Sequence, residues 1–172
     1  NTRSRGLGDV YKRQGENTSI ASIEKAKEIF KLSGSSIVTV KKEIDGFILN
    51  RLQGALLNEA MRLYSEGYAS SDDIDATIKD GLGLRWAFMG PFETIDLNAP
   101  GGIKDYMARY GSIFIEMAKS QTKIPDWSEN AGKKLELERR KVLSEDDLEK
   151  RAKKRNFLLK QLRKLKIDND ET

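Results

Sequence analysis

The apolar positions of this chain recur mostly at three- and four-residue steps, the spacing of one face of an α-helix. The first such stripe is Ile20, Ile23, Ala26, Ile29 and Phe30, with Thr18 or Ser19 placed to cap it and Ser33-Gly34 placed to stop it. Ser36-Ile37-Val38-Thr39-Val40 follows, a short β-branched run that predicts a strand. Helix, glycine and strand make half of a βαβ unit. A lone strand has no ladder partner, so either a second copy supplies one or the sheet lies upstream.

At Gly46-Phe47-Ile48-Leu49-Asn50-Arg51 the period changes. Leu49, Leu52, Leu56, Ala60 and Leu63 predict a long amphipathic helix from Phe47 to about Ser65-Glu66-Gly67. Ser70 with Asp73 forms a capping box for the next helix, which Asp80-Gly81 is expected to close. Gly81 to Phe92 holds three glycines and several large apolar residues without a period, and reads as an ordered loop. Pro91 suits the first turn of a helix over Phe92–Leu97, and Asn98 to Gly102 is a break. Ile103–Met117 predicts one or two helices interrupted near Gly111. Pro125-Asp126 precedes a helix to about Val142, and Ser144 with Asp147 opens a last helix to about Ile167.

Composition narrows the chemistry. The 172 residues include neither cysteine nor histidine. Disulfides, thiolate metal sites, a Ser-His-Asp triad and a His-ligated zinc are therefore excluded within this chain. No apolar run approaches the roughly 20 residues of a membrane span, and residues 1–14 have no signal-like apolar core. A soluble cytoplasmic setting is the expectation. Residues 1–14 also show no helical or strand period. They resemble a translated cloning scar, and together with the missing initiator Met they suggest a truncated start.

The net charge of +4 is unevenly placed, because residues 133–166 carry 14 Lys/Arg against 6 Asp/Glu. Such a segment reads as a solvated helix face or, alternatively, as a basic module for nucleic acid.

Two residues stand out as site candidates. Asn50 falls in the first turn of a helix, between apolar neighbours, where its amide either caps locally or bonds a substrate oxygen. Arg85 lies beside Trp86 and Phe88, where its guanidinium either stacks on the indole or clamps a carboxylate. Gly81-Leu82-Gly83 lacks the third glycine and the preceding strand of a dinucleotide fingerprint. Glu59, Glu93 and Asp96 are unpaired acids that read as solvated.

Asp45-Gly-Phe-Ile-Leu-Asn-Arg51, Asn58-Glu-Ala60, Glu66-Gly67, Asp73-Ile-Asp75, Gly81-Leu-Gly-Leu-Arg85 and Gly90-Pro-Phe-Glu-Thr94 together resemble the C-terminal region of the 3-hydroxyacyl-CoA dehydrogenase family. The string Arg85 to Thr94 followed by Leu97-Asn98-Ala99 is most similar to its λ-crystallin / L-gulonate 3-dehydrogenase branch. The resemblance covers about residues 15–165. It implies a mainly α chain: an all-helical, 6-phosphogluconate-dehydrogenase-like domain over 42–172, preceded at 15–41 by the last helix and strand of a Rossmann domain. It implies an NAD-dependent oxidation of a secondary alcohol, with NAD and the His base held by an upstream domain, so that the fragment alone is inactive. It further implies a homodimer through the helical domain, Asn50 as the retained catalytic residue and Arg85 as the substrate-binding residue. A nucleic-acid module and a purely structural dimerisation protein are the competing readings.

Overall fold

The computed structural model describes residues 19–32 and 37–169. The lead-in 1–14, the Ser33-Gly34 stop and Ser36 lie outside them. The chain divides into two units, Asn1–Leu52 and Gln53–Thr172.

In the first unit α1 spans Ile20–Leu32. Ser19 starts it, its Oγ accepting from the Ser22 amide at 3.2 Å. The expected strand is not formed, since residues 37–40 carry no strand pairing. Among the described residues there is no second strand edge for them to bond, and a strand exists only as part of a ladder. Two left-handed backbone conformations, Gly46 at φ 80° and Phe47 at φ 48°, then swing the chain into α2, Phe47–Ser65. A glycine suits the first of these positions, whereas a bulky side chain at the second is uncommon.

The second unit begins within α2. That helix ends in a Schellman motif: Gly67 N–H bonds Tyr64 O, and Tyr68 N–H bonds Leu63 O. Ser70 caps as expected, its Oγ accepting from the Asp73 amide at the start of α3, Ser71–Ala76, while the Asp73 carboxylate accepts from the Ser70 hydroxyl. Beyond it the structure departs from the expected loop. The chain continues as a π-helical turn, Thr77–Leu82, and then as α4, Gly83–Trp86. Pro91 opens α5, Pro91–Leu97, and α6 runs without a break from Gly102 to Ser120, through Gly111. The corner between them is tied by Asp96, whose Oδ1 accepts from the Ile103 amide at 2.6 Å. One of the candidate acids thus caps a helix.

α7 spans Glu129–Val142, as expected after Pro125-Asp126, and is capped by Ser128. Ser144 and Asp147 bond through their side chains at 3.1 Å, but they frame a short 3₁₀ turn, Glu145–Asp147, and α8 begins only at Leu148 and runs to Asn169. Among the described residues every element is helical.

Among the described residues buried positions are few. Met61, Ala99 and Ala131 form the apolar ones, alongside Arg62, Ser71 and Thr94. Large apolar side chains of α6 stay exposed, Met107 at 63%, Phe114 at 50% and Ile115 at 60%, as do Phe157 and Leu158 of α8.

Arg62 organises the second unit. Its Nη1 pairs with Glu59, while Nη2 donates to the carbonyls of Gln121 (3.2 Å) and Lys123 (3.1 Å) where α6 ends. A cation at the carbonyl end of a helix is favoured by the helix dipole. The following segment is fastened to α2 by Trp127, whose indole N–H donates to Asn58 Oδ1 at 3.0 Å.

α3 is joined to α7 by charge. Arg139 pairs with Asp72 and, at 3.4 Å, with Asp75. Glu138 Oε1 accepts from both the amide and the hydroxyl of Ser71, at 2.8 and 2.9 Å. The Ser71 amide, the Ser71 hydroxyl and then the Tyr64 hydroxyl hold the Glu138 carboxyl below the usual carboxylate range. The bond from Tyr64 to Glu138 is the main cause that raises the phenol.

The depressed Glu138 pKa means that its contribution to stability is full above the unfolded carboxylate range, near pH 4.3, and is lost as pH falls through the lower folded value. Tyr64, raised, contributes below about pH 10 and loses this as pH rises through its folded value. Glu138→Gln is therefore expected to lower the melting temperature at pH 7 and to flatten its decline between pH 5 and 3. An acid limb as steep as that of the unaltered chain would contradict the assignment.

Candidate functional site

The two candidate residues fall in different units. Asn50 sits in the first turn of α2, three residues after the positive-φ pair, and is exposed. A helix's first turn leaves backbone amides unpaired, and an Asn can either serve them or face outward. Among the described hydrogen bonds none is made by the Asn50 side chain, so its amide is not consumed as a local cap.

Arg85 is placed by the π turn. In a π turn the amide bonds five residues back instead of four, and the Gly83 amide does this to Ile78 O. Arg85 then lies in the short α4, exposed, beside Trp86 at 40% exposure and Leu84 at 63%. Its carbonyl is engaged by the amides of Phe88 and Met89, both at 3.0 Å, which fixes its backbone. Its guanidinium has no hydrogen bond or ion pair among the described residues, and no stacking of it on Trp86 is found. A free guanidinium on a fixed backbone, with apolar side chains around it, can bind a carboxylate through two parallel hydrogen bonds.

The other candidate acids are spoken for or solvent-facing. Glu59 pairs with Arg62, Asp96 caps α6, and Glu93 is exposed on α5. Among the described residues no group of three Asp, Glu, His or Cys side chains comes together to hold a metal ion. The glycines 81 and 83 lie within a helical turn, which does not fit the strand-turn-helix cradle of a dinucleotide pyrophosphate. No helix among the described residues is long and apolar enough to cross a membrane.

What sequence reading missed is the connecting set: Arg62, the Asn58–Trp127 bond, and the Glu138–Ser71 and Arg139–Asp72 contacts. The Asn58-Glu-Ala60 motif was visible, but its partner stands 69 residues away. Nothing local announces such a pairing.

Each unit thus carries one exposed polar candidate: Asn50 in the first turn of α2, and Arg85 on the fixed backbone of α4. Comparison with known proteins gives the class. The model of the 3-hydroxyacyl-CoA dehydrogenase C-terminal domain matches residues 46–157. The chain belongs to this family. It is 42% identical over 151 residues to lambda-crystallin of Oryctolagus cuniculus, covering 87% of this chain and 47% of that protein. It is 35% identical over 151 residues to the lambda-crystallin homolog of Homo sapiens, with the same coverage. Against L-carnitine dehydrogenase of Pseudomonas putida it is 42% identical over 98 residues, 56% of this chain and 30% of that enzyme. The chain thus spans about half the length of the lambda-crystallin relatives it matches.

Proposed function

We propose that this chain is the substrate-side, helical part of an NAD-dependent dehydrogenase that oxidises the 3-hydroxyl of a small carboxylic acid, with L-gulonate as the first substrate to test. The observation that carries this reading is the free guanidinium of Arg85, held at the surface inside the segment shared with both lambda-crystallin and L-carnitine dehydrogenase. L-carnitine and L-gulonate share a carboxylate and a hydroxyl on the third carbon. A 3-hydroxyacyl-CoA has a thioester in place of that carboxylate, so a carboxylate clamp favours the free acids.

In this reading Arg85 holds the carboxylate, and the binding energy orients the carbon to be oxidised. Asn50 donates its amide to the substrate oxygen as that oxygen gains carbonyl character. In the same reading the proton acceptor and NAD are supplied from outside this chain, which has no histidine and whose glycine pair does not fit the cofactor. The exposed apolar faces of α6 and α8 support a homodimer in which a second copy covers them.

The test is an assay of the enzyme with its full coding sequence. NAD reduction is expected with L-gulonate or L-carnitine at higher kcat/KM than with a 3-hydroxyacyl-CoA. A clear preference for the thioester would reject the carboxylate reading. Sedimentation of the same preparation is expected at twice the chain mass, and a monomer would remove the homodimer.

A further inference from the structure

We propose that Gly83 is a positioning residue that holds the π turn Thr77–Leu82 in place and so sets the direction in which Arg85 projects. This rests on the reading of Arg85 as the carboxylate-binding group. Three observations carry it. The Gly83 amide closes the wide turn on Ile78 O. A Cβ at Gly83 would stand 2.8 Å from that same oxygen, too close for any side chain unless the carbonyl moves. Gly81, in the same turn, would meet nothing within 4 Å if it carried a Cβ. Only one of the two glycines is therefore demanded by the turn.

The consequence follows from helix geometry. A π turn holds one residue more than an α turn, and each α-helical residue turns the chain by about 100°. If the carbonyl of Ile78 is pushed off and the segment relaxes to α pitch, everything after it rotates by about 100° relative to α3. Arg85 and Trp86 are two and three residues beyond Gly83, so they swing with it. Alanine is a better helix former than glycine, so in an ordinary helix the substitution would help. Here the same change meets the Ile78 carbonyl.

The test compares Gly83→Ala with Gly81→Ala in the full-length enzyme. Gly83→Ala is expected to raise KM for the carboxylate substrate about tenfold, with kcat changed less than twofold. Gly81→Ala should leave KM within twofold. In an Arg85→Ala background, Gly83→Ala should add less than twofold, because the group it positions is gone. An equal effect of the two glycine changes, or a full Gly83 effect in the absence of the Arg85 side chain, overturns the proposal.

If Arg85→Ala alone leaves KM unaltered, the carboxylate reading fails by itself. The conformational half is then decided by crystal structures of the two glycine variants. Arg85 rotated in Gly83→Ala and in place in Gly81→Ala supports it, and Arg85 in place in both overturns it. If Gly83→Ala does not fold, deleting Gly81 as well returns the segment to α pitch with Arg85 in its original direction. That double change is expected to fold and to keep KM, and its failure to fold would also overturn the proposal.

Discussion

Arg62→Ala is expected to lower the stability of the chain by about 2–4 kcal/mol, the cost of removing a buried charged donor together with its bonds to three acceptors. Its side chain is 11% exposed, and it serves three acceptors from two parts of the fold: Glu59 on α2, and the carbonyls of Gln121 and Lys123 after α6. An alanine leaves those carbonyls without their donor and Glu59 without its cation. Nothing nearby replaces the guanidinium, because Lys123 reaches Glu66, not Glu59, and only at 3.7 Å. The melting temperature should fall by about 8–15 °C for a domain of this size. Arg62→Lys keeps the charge and loses the fork, and should recover about half of the loss. A shift smaller than about 0.5 kcal/mol for the alanine variant, measured by denaturant titration, would show that the cluster is not the fastening described here.

The second large effect separates the two site residues by kinetics. In the full-length enzyme Asn50→Ala should lower kcat by about 10²-fold or more and leave KM near its starting value, as expected for a donor whose bond strengthens as charge moves onto the substrate oxygen. Arg85→Ala should raise KM about 10- to 100-fold with a smaller change in kcat, because in the proposed reading it holds a group that does not react. Arg85→Lys should restore little, since an ammonium cannot make the paired bonds of the guanidinium fork. The opposite assignment of kcat and KM between the two variants would exchange their roles. An unaltered kcat in Asn50→Ala would remove it from the chemistry altogether.

Much of this fold is written locally. The stripe from Leu49 to Leu63, the Ser70–Asp73 box and the proline at the start of α5 act within one or two helical turns, and each appears where the pattern predicts it. The errors have physical causes. Gly81 to Phe92 reads as a loop because glycines usually end helices. Here the chain runs on through a π turn that closes on Gly83, and no period in the sequence encodes the extra residue. Gly111 costs its helix only about 0.5–1 kcal/mol, which a 19-residue helix absorbs. The β-branched run at 37–40 has the composition of a strand but no strand to pair with among the described residues, and pairing is a property of two segments. For the site, residue type singled out Asn50 and Arg85. The surface position of Arg85 depends on a turn that only the backbone shows.

The uncovered faces of α6 and α8 bear on how such a sequence is kept. Selection for folding acts most strongly on side chains that folding buries fully, and in the isolated chain Phe114, Ile115, Phe157 and Leu158 stay half or more exposed. A polar residue at any of these positions would cost the lone chain less than one at a buried position. If apolar residues persist there from relative to relative, the constraint comes from whatever surface covers them, and variation at these four positions would trace that surface.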